Sequence, residues 1–500
     1  MDRTTLIQLL DGLSSLPFYL LLLMPVIFVI FKLFTTKTEH LPPGPRPWPI
    51  IGNMLQLGKM PHVSLTSFAK EHGPLISLRL GTRLLVVGSS PRVATEILKT
   101  NDRLLSGRYV LQAIPVEHRV LDRIAIIWAS ECNEGWKSLR ALCRTELFSA
   151  KAIESQAVLR EKKVMEMVEF LRTREGKVVK VGEVVFATVF NTMGNLLFSR
   201  DFVDYGDGGE SSRLKGIVRR MIELGASPNI CDFYSVFSGL DPQGLKKKIS
   251  DCIKEMFSTW EIFVKERRET ERFHAHKSDF LDVFLANGFD DEQINWLLLE
   301  LFTAGADTTS TTVEWAMAEL IKNKQVMKRV RQELEEEQIN GNALKESQIS
   351  QLPYLSACVK ETLRLHPPAP LLLPHRAIED CKVMNYEIPR DTQLFVNVWA
   401  IGRDPHAWGE DPLSFRPERF LGSTDLDFKG QNYEFLPFGA GRRICPGLPM
   451  AAKQVQLILA CMIRSFDWSL PNGEDHSKLD MSEKFGVTLQ KEQPLLLVPN

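Results

Sequence analysis

The sequence has no paired CxxC cysteines, no dense cysteine framework and no long basic stripe. Its eight cysteines are scattered over 500 residues, which excludes a disulfide-stapled fold and favours a reducing compartment. Charge is balanced, with 61 Lys and Arg against 62 Asp and Glu, so nucleic acid is not an expected partner. No repeat, low-complexity tract or second linker follows residue 50, and one body is the simplest interpretation, although the length allows several domains.

An apolar run extends from Leu16 to Phe31 and resumes after Lys32. At about 1.5 Å per residue it crosses most of a hydrocarbon core of about 30 Å. We predict an N-terminal transmembrane helix over residues 16–34, within an anchor formed by residues 1–40. The alternative is a cleaved signal peptide, which the weakly basic start and the lack of a small-x-small cleavage site disfavour. Basic residues after the span predict that the rest of the chain is cytosolic.

Residues 41–50 are proline-rich, which predicts a stiff hinge that orients a catalytic body of residues 51–500 against the bilayer. The alternative is an ordinary proline-rich linker. Within the body, β-type runs appear early and late, and helical periodicity dominates the middle. We therefore predict a mainly α fold with small β-sheets. The clearest predicted helices cover residues 155–172, 245–272, 291–322, 325–338 and 352–365.

The predicted helix 291–322 carries an unfavourable sequence at its centre. Asp290 and Gln293 form a capping pattern at its start, but Gly305, Asp307 and four threonines interrupt the apolar run near its middle. Glycine costs about 1 kcal/mol relative to alanine in a helix, and β-branched threonine adds smaller penalties. Threonine hydroxyls also compete for backbone carbonyls and can bend or widen a helix. The pattern indicates either a functional site or a kinked helix with a solvated Asp307.

Cys445 lies in a glycine- and arginine-rich segment, Pro437 to Gly447, just before a predicted helix from about Leu448 to Phe466. The helix dipole and the nearby Arg442 and Arg443 would favour a thiolate at Cys445. One cysteine cannot complete a zinc site, and no partner ligand stands at zinc spacing, whereas haem iron needs one strong protein ligand. The segment predicts a haem-ligating cysteine; the other seven are expected to be packing residues.

The pattern Phe438-x-x-Gly441-x-Arg443-x-Cys445-x-Gly447 resembles the haem-ligand signature of the cytochrome P-450 superfamily. Three further motifs follow the order found in that family: Ala304-Gly-x-Asp-Thr308, Glu361-Thr-Leu-Arg364 and Pro417-Glu-Arg-Phe420. With the anchor and hinge, the resemblance covers essentially the whole chain. It implies the P-450 fold and haem b held by the Cys445 thiolate.

The same resemblance implies roles for individual residues. Asp307 and Thr308 would form an acid and alcohol pair that delivers protons to dioxygen at the haem. Glu361, Arg364 and Arg419 would form a structural network. Contacts to the haem propionates are expected from Trp136 and Arg140, which share one predicted helix. Arg443 of the cysteine segment and either His375 or Arg376 should join them.

The wording of the motifs resembles plant microsomal members, which predicts an endoplasmic reticulum membrane protein that receives NADPH electrons through a flavoprotein reductase. Several segments resemble an alkaloid branch that includes hydroxylating, phenol-coupling and radical-rearranging enzymes; a monoterpenoid hydroxylase branch is next. The resemblance places substrate contacts in segments 103–130, 369–373 and 485–487 and near Ala304, and these largely apolar stretches predict an apolar pocket. The intact Asp307 and Thr308 favour hydroxylation of a mid-sized hydrophobic metabolite over an isomerase or a non-catalytic haem protein.

Overall fold

The structure, a computed structural model, describes Met24 and residues 40–206, 210–270, 279–336, 344–422 and 426–500. Apart from Met24, the predicted transmembrane span 16–34 lies outside these residues. The predicted class, mainly helical with small β-sheets, is confirmed for the described part of the chain.

The N-terminal half combines short strands with helices of 4 to 18 residues. Its α-helices are α1 (Met54–Leu57), α2 (Pro61–His72), α3 (Pro91–Thr95), α4 (Asp102–Leu105), α5 (His118–Ile124), α6 (Glu134–Glu146), α7 (Ala150–Ser155), α8 (Ala157–Arg172), α9 (Val181–Phe198), α10 (Glu210–Ala226) and α11 (Ile230–Phe233). Its strands are β1 (Leu75–Leu80), β2 (Arg83–Gly88), β3 (Gly107–Arg108) and β4 (Val179–Lys180).

The C-terminal half contains the longest helices and most of the short strands. Its α-helices are α12 (Leu245–Thr270), α13 (Phe280–Ala286), α14 (Asp291–Lys322), α15 (Lys324–Glu336), α16 (Pro353–Leu365), α17 (Val398–Ile401), α18 (Pro405–Trp408) and α19 (Leu448–Ser465). Its strands are β5 (His375–Arg376), β6 (Cys381–Val383), β7 (Tyr386–Ile388), β8 (Gln393–Val396), β9 (Trp468–Ser469), β10 (Glu483–Lys484), β11 (Gln490–Lys491) and β12 (Leu496–Pro499).

Helix α14, called the central helix below, has the bounds predicted from the sequence. The Asp290 side chain accepts from the Gln293 N–H, and the Gln293 side chain accepts from the Asp290 N–H, which completes the capping box. Thr308 and Thr312 donate to the carbonyls of Ala304 and Thr308 at 2.7 and 2.8 Å. The hydroxyls therefore bond back to the helix as expected, yet the helix remains α-helical from end to end.

The main core surrounds the central helix. Helices α9 and α19 pack along it, α8 packs against both of them, and the cluster is filled by apolar side chains from all four helices. Helix α9 is long and apolar enough to span a membrane, but 83 % of it is buried within the body. Its apolar surface faces protein on most sides, so α9 is a core helix.

A five-stranded sheet with order β1-β2-β8-β5-β3 forms the second part of the body. Strand β8 runs parallel to β2, and the other neighbours are antiparallel. Two smaller apolar clusters pack against its faces. The smaller sheets of the described residues are β4-β12-β9, β6-β7 and β10-β11.

The proline-rich segment lies along the edge of this sheet. Ser77 of β1 donates its N–H to the Pro43 carbonyl at 2.9 Å and its hydroxyl to the Pro42 carbonyl at 2.6 Å. A Cβ at Gly44 would lie 1.9 Å from the Ser77 oxygen, so only glycine permits this approach. The segment is thus bound to the sheet at its first residues.

Candidate active site

Cys445 lies between a 3-10 turn, Gly441–Arg443, and the start of α19. Its N–H donates to the Phe438 carbonyl at 3.0 Å, which closes the loop. Gly441 has φ of 67°, and a Cβ there would lie 2.4 Å from the Leu98 carbonyl oxygen. The glycine is therefore required both by its left-handed backbone and by close contact with the helical turn after α3.

The surroundings of the Cys445 thiol differ from those expected. Burial raises its pKa above 9.0, while the N–H groups of Gly447 and Leu448 and the charge of Arg140 lower it. Arg442 instead pairs with Asp102 at 3.0 Å, and Arg443 donates to backbone carbonyls. The expectation that Arg442 and Arg443 favour the thiolate is corrected: the cation that acts on this sulfur is Arg140.

The structure brings together three of the predicted site residues, Trp136, Arg140 and Arg443. The guanidinium carbons of Arg140 and Arg443 lie 5.2 and 4.8 Å from the Trp136 ring centre. Trp136 Nε1 donates to the Ile126 carbonyl at 2.8 Å, and Arg140 donates to the carbonyl of Ile444, next to Cys445. Arg443 is buried and bonds to the carbonyls of Ser106, Ile126 and Ala129. Within the part of the chain that the structure describes, neither Arg140 nor Arg443 has a carboxylate partner within hydrogen-bond distance.

His375 and Arg376 point in different directions. His375 is buried, with Nδ1 2.7 Å from the Leu105 carbonyl oxygen, and burial lowers its pKa to about 3. Arg376 pairs with Asp391 at 2.7 Å and with Glu131 at 3.4 Å. Of the two alternatives, the geometry favours His375 as the residue beside the cationic cluster, because the charge of Arg376 is already neutralised.

Arg108 is a member of this cluster that sequence reasoning did not identify as a site residue. Its side chain is 5 % exposed, Nη1 donates to the Leu373 carbonyl at 3.1 Å, and Nε has no hydrogen-bond partner within the described structure. Burial, and then the charges of Arg443 and Arg140, lower its pKa to about 9. Nothing local in Leu105-Ser-Gly-Arg108 marks this arginine as buried; only its distant neighbours do.

These side chains fit a haem. Buried cations are stable only beside anions. Arg108 and Arg443 are buried and Arg140 is half-buried, and the carboxylates that act on members of this set are those of Glu300 and Asp122, so positive charge is in excess. The two propionates of haem would supply the missing negative charge, and the Cys445 sulfur would supply one strong ligand to iron. Zinc would need several ligands, and the described residues contain no group of three or more His, Cys, Asp or Glu suited to a metal.

Two faces of the central helix carry the unusual residues. Ala304 is exposed and Thr308 half-buried, although the residues around them on the helix are mostly buried. Asp307 is buried and lies on a cavity of about 530 Å³, which it lines together with Glu314 and the segment 484–488. Asp307 and Thr308 are thus adjacent in sequence, but their side chains are held in different surroundings.

Two residues near the C-terminus hold the Asp307 carboxyl group. Thr488 donates its hydroxyl to Oδ2, and Gln490 Nε2 donates to Oδ1 at 3.1 Å. Burial raises the pKa of Asp307, and the bonds from Thr488 and Gln490 partly offset this effect. The alternative of a solvated Asp307 on a kinked helix is wrong, since the carboxyl is buried on a continuous helix.

The predicted structural network is confirmed. Glu361 and Arg364 form a fully buried bidentate pair with two distances of 2.6 Å. Arg419 Nε lies 3.4 Å from the Glu361 carboxylate. Arg364 also donates to the carbonyls of Gly402, Pro412 and Ser414, which ties the long segment before the cysteine loop to α16.

A helical body with a cysteine loop and a cationic cluster beside it defines the class of haem-thiolate proteins. The sequence profile named Cytochrome P-450 matches residues 42–498. A protein described as probable (S)-N-methylcoclaurine 3'-hydroxylase isozyme 2, from Coptis japonica, is 51 % identical over 95 % of this chain and 96 % of its own length. Corytuberine synthase of Coptis japonica is 45 % identical over 95 % and 97 %, and geraniol 8-hydroxylase of Catharanthus roseus is 39 % identical over 96 % and 99 %.

The chain therefore belongs to the cytochrome P-450 family. As a member, it is a monooxygenase that binds haem through a cysteine thiolate, oxidises a small molecule and receives electrons from a redox-partner reductase.

Proposed function

We propose that Cys445 is the iron ligand and that Trp136, Arg140, His375 and Arg443, joined by Arg108, hold the haem propionates. The support is the sulfur position, where two backbone N–H groups point at the thiol of the half-buried Cys445, and the excess of positive charge beside it. Thiolate-bound haem supplies activation of dioxygen and insertion of one oxygen atom. The protein's part is to hold the ligand, neutralise the propionates and deliver protons.

We assign proton delivery to Asp307 and Thr308. Asp307 lines the cavity, where solvent protons are available, and the raised pKa of its carboxyl group favours taking one up. Thr308 Oγ1 lies on the accessible face beside Ala304 and can pass a proton onward while accepting its replacement. Because Thr488 and Gln490 hold Asp307, the relay requires the carboxyl to leave Thr488 during each cycle.

The proposed substrate is an alkaloid of the benzylisoquinoline or tropane-ester type. The observation that carries this proposal is the similarity to relatives named N-methylcoclaurine 3'-hydroxylase, at 51 and 50 % identity over nearly the whole chain. The second candidate, a monoterpenoid, is supported by the geraniol 8-hydroxylase relative at 39 %. Corytuberine synthase, at 45 %, keeps phenol coupling and radical rearrangement as alternative outcomes on the same fold.

Turnover assays decide between these classes. The full-length protein in membranes, with NADPH and a plant flavoprotein reductase, is incubated separately with benzylisoquinolines, tropane esters and monoterpenols, and labelled dioxygen follows the oxygen atom. We expect one labelled oxygen in a benzylisoquinoline or tropane-ester product. Turnover of monoterpenols alone would contradict the alkaloid proposal, and an unlabelled coupled or rearranged alkaloid would contradict hydroxylation.

We also propose that residues 1–40 anchor the protein in the endoplasmic reticulum membrane, that residues 41–50 are the hinge, and that the cytosolic body is 51–500. An exposed apolar patch on the body supports this orientation, and its members are Trp48, Ile50, Leu55, Val236 and Leu240, each more than half exposed. Tyr234 joins the two segments that form the patch by donating to the Ile50 carbonyl at 3.3 Å. Apolar patches of this kind on a soluble surface mark contacts with membranes or proteins.

Membrane fractionation tests the anchor and the patch separately. We expect the full chain to remain in the membrane pellet after alkaline carbonate treatment, and a chain lacking residues 1–39 to be released. The shortened chain should still bind lipid vesicles, and Leu55→Ser with Leu240→Ser should weaken this binding. Release of the full chain by carbonate would refute the anchor.

A further inference from the structure

Glu300 is a buried carboxylate that the proposed chemistry does not use. It lies one turn before Ala304 on the same face of the central helix and is 4 % exposed. Three consecutive backbone N–H groups, those of Ile126, Ile127 and Trp128, donate to its carboxylate at 2.6, 3.0 and 3.0 Å. The partners are more than 170 residues apart in sequence. Such convergence of N–H donors is suited to an anion and is unusual for a side chain that only fills space.

The segment that donates these bonds, residues 125–130, is irregular and connects α5 to the turn before α6. Its carbonyls point the opposite way: Ile126 accepts from Trp136 Nε1, and Ala129 accepts from Arg443 Nη2 at 2.7 Å. The amide side of the segment is therefore fixed to the central helix, and the carbonyl side to α6 and the cysteine loop. Without the Glu300 contact, three N–H groups, those of buried Ile126 and of half-buried Ile127 and Trp128, would need new acceptors.

The charged and titratable groups that act on Glu300 come from three elements. Arg443 from the cysteine loop and Arg108 from β3 attract the carboxylate, and the Cys143 thiol of α6 faces it. Burial raises the pKa of Glu300 to about 7, against the effect of the three N–H bonds and Arg443. The bond set is strongest when Glu300 is ionised, because a protonated carboxyl loses acceptor capacity.

We propose that Glu300 is a positioning residue that fixes segment 125–130 across the central helix and thereby sets substrate affinity and the site of oxidation. Ile126 and Ile127, which the sequence assigns to the apolar substrate pocket, are the residues whose amides it holds. The proposal rests on the oxygenase function and on those pocket residues. It predicts that loss of the carboxylate changes how a substrate is held, while the chemistry at Cys445, Asp307 and Thr308 continues.

The first test is amide hydrogen exchange of the full-length holoprotein with Glu300→Gln. This variant keeps the size of the side chain but turns an NH2 group toward backbone donors. We expect amides 126–128 to exchange at least about 10-fold faster, with the carbon monoxide band of the bound haem retained. Unchanged exchange at these three amides would overturn the proposal, whatever the substrate proves to be.

The second test separates binding from turnover with the alkaloid that the wild type oxidises. For Glu300→Gln we expect KM to rise about 5-fold or more, kcat to stay within about 2-fold, and the product ratio to change. Glu300→Asp, which keeps the charge on a shorter side chain, should recover part of the KM. Equal behaviour of the Asp and Gln variants, or a fall in kcat alone, would contradict a positioning role of the carboxylate.

Glu346→Gln is the matched control. Glu346 is also buried and ion-paired, with Arg160 at 2.6 Å, but it lies on the 3-10 helix Glu346–Gln351, away from segment 125–130. This variant should lower thermal stability without changing exchange at 126–128 or KM. If it reproduced both effects of Glu300→Gln, general destabilisation would explain them and the proposal would fail. If Glu300→Gln binds no haem, the Asp variant carries both tests.

Discussion

At the scale of single residues, chemistry in this protein depends on side chains held by partners far away in sequence. Asp307 is held by Thr488 and Gln490, which lie about 180 residues further along the chain. Cys445 is influenced by Arg140, from α6. Each of these groups is therefore set in part by a contact with a residue distant in sequence.

Cys445→Ser should abolish the absorption of the reduced, carbon-monoxide-bound protein at about 450 nm, because a serine oxygen cannot replace the thiolate ligand. A difference spectrum of the membrane fraction measures this directly. Cys381→Ser, a change at a half-buried cysteine of β6, is the control and should keep the band. A normal band in Cys445→Ser would show that another residue binds the iron.

Thr308→Ala should divert electrons to hydrogen peroxide, since the alanine cannot pass a proton. We expect product per NADPH consumed to fall at least about 10-fold. Thr312→Ala is a matched control, because Thr312 makes the same hydroxyl bond to the carbonyl one turn earlier, at 2.8 Å. Equal coupling in wild type and Thr308→Ala would remove Thr308 from the proton relay.

At the scale of elements, local patterns predicted helix bounds and the family resemblance predicted the network of Glu361, Arg364 and Arg419, whereas contacts that neither source indicates were missed. The bounds of the central helix follow from its capping box and apolar periodicity, and both are local. The two-residue strands β3, β4, β5, β9, β10 and β11 have no pattern of their own and exist only through pairing. The choice between His375 and Arg376, and the roles of Arg108 and Glu300, likewise depend on neighbours that the sequence does not reveal.

Glu361→Gln should destabilise the connection between α16 and the segment before the cysteine loop. The change leaves Arg364 buried without its anion, and breaking a buried pair costs about 3 to 5 kcal/mol. Thermal unfolding and haem retention measure the loss. Glu134→Gln is the control, since it removes an exposed pair of the same i,i+3 spacing with Lys137 and should cost under about 1 kcal/mol. Similar losses in both variants would contradict the importance of burial.

At the scale of the whole molecule, the helical layer and the sheet contribute different residues to the proposed haem site. The helical core around the central helix supplies Asp307, Thr308 and the cysteine loop, which precedes α19. The five-stranded sheet supplies Arg108 and His375 through the adjacent strands β3 and β5. Stability of the site therefore depends on how firmly the helical layer and the sheet remain together.

Stability should depend on pH through Glu300. Folding raises its pKa from 4.5 to about 7, so the folded protein binds the proton more tightly than the unfolded chain does. The contribution of Glu300 to the free energy of unfolding is complete below the pKa of the unfolded chain and is lost as pH rises through about 7. The change amounts to up to about 3 kcal/mol. Thermal midpoints of the wild type between about pH 5 and pH 8 should fall more steeply than those of Glu300→Gln.

Glu346→Gln is again the comparison. Against the effect of burial, Arg160 lowers the pKa of Glu346, so this carboxyl group does not titrate in this pH range. Its curve should be displaced downward but run parallel to that of the wild type. Parallel curves for the wild type and Glu300→Gln would contradict the raised pKa.

The central helix has a consequence for how this enzyme can diversify. Glu300 and Asp307 lie seven residues, or about 10 Å, apart along this one helix. Glu300 holds one predicted pocket segment, and Asp307 binds Thr488, which directly follows another, so that each segment is attached to the helix by a single side chain. Mutations in these two segments can alter which molecule is accommodated without disturbing the central helix. New specificities can therefore arise by small steps while the oxidising machinery is inherited unchanged, which fits relatives that share this sequence framework under names describing different products.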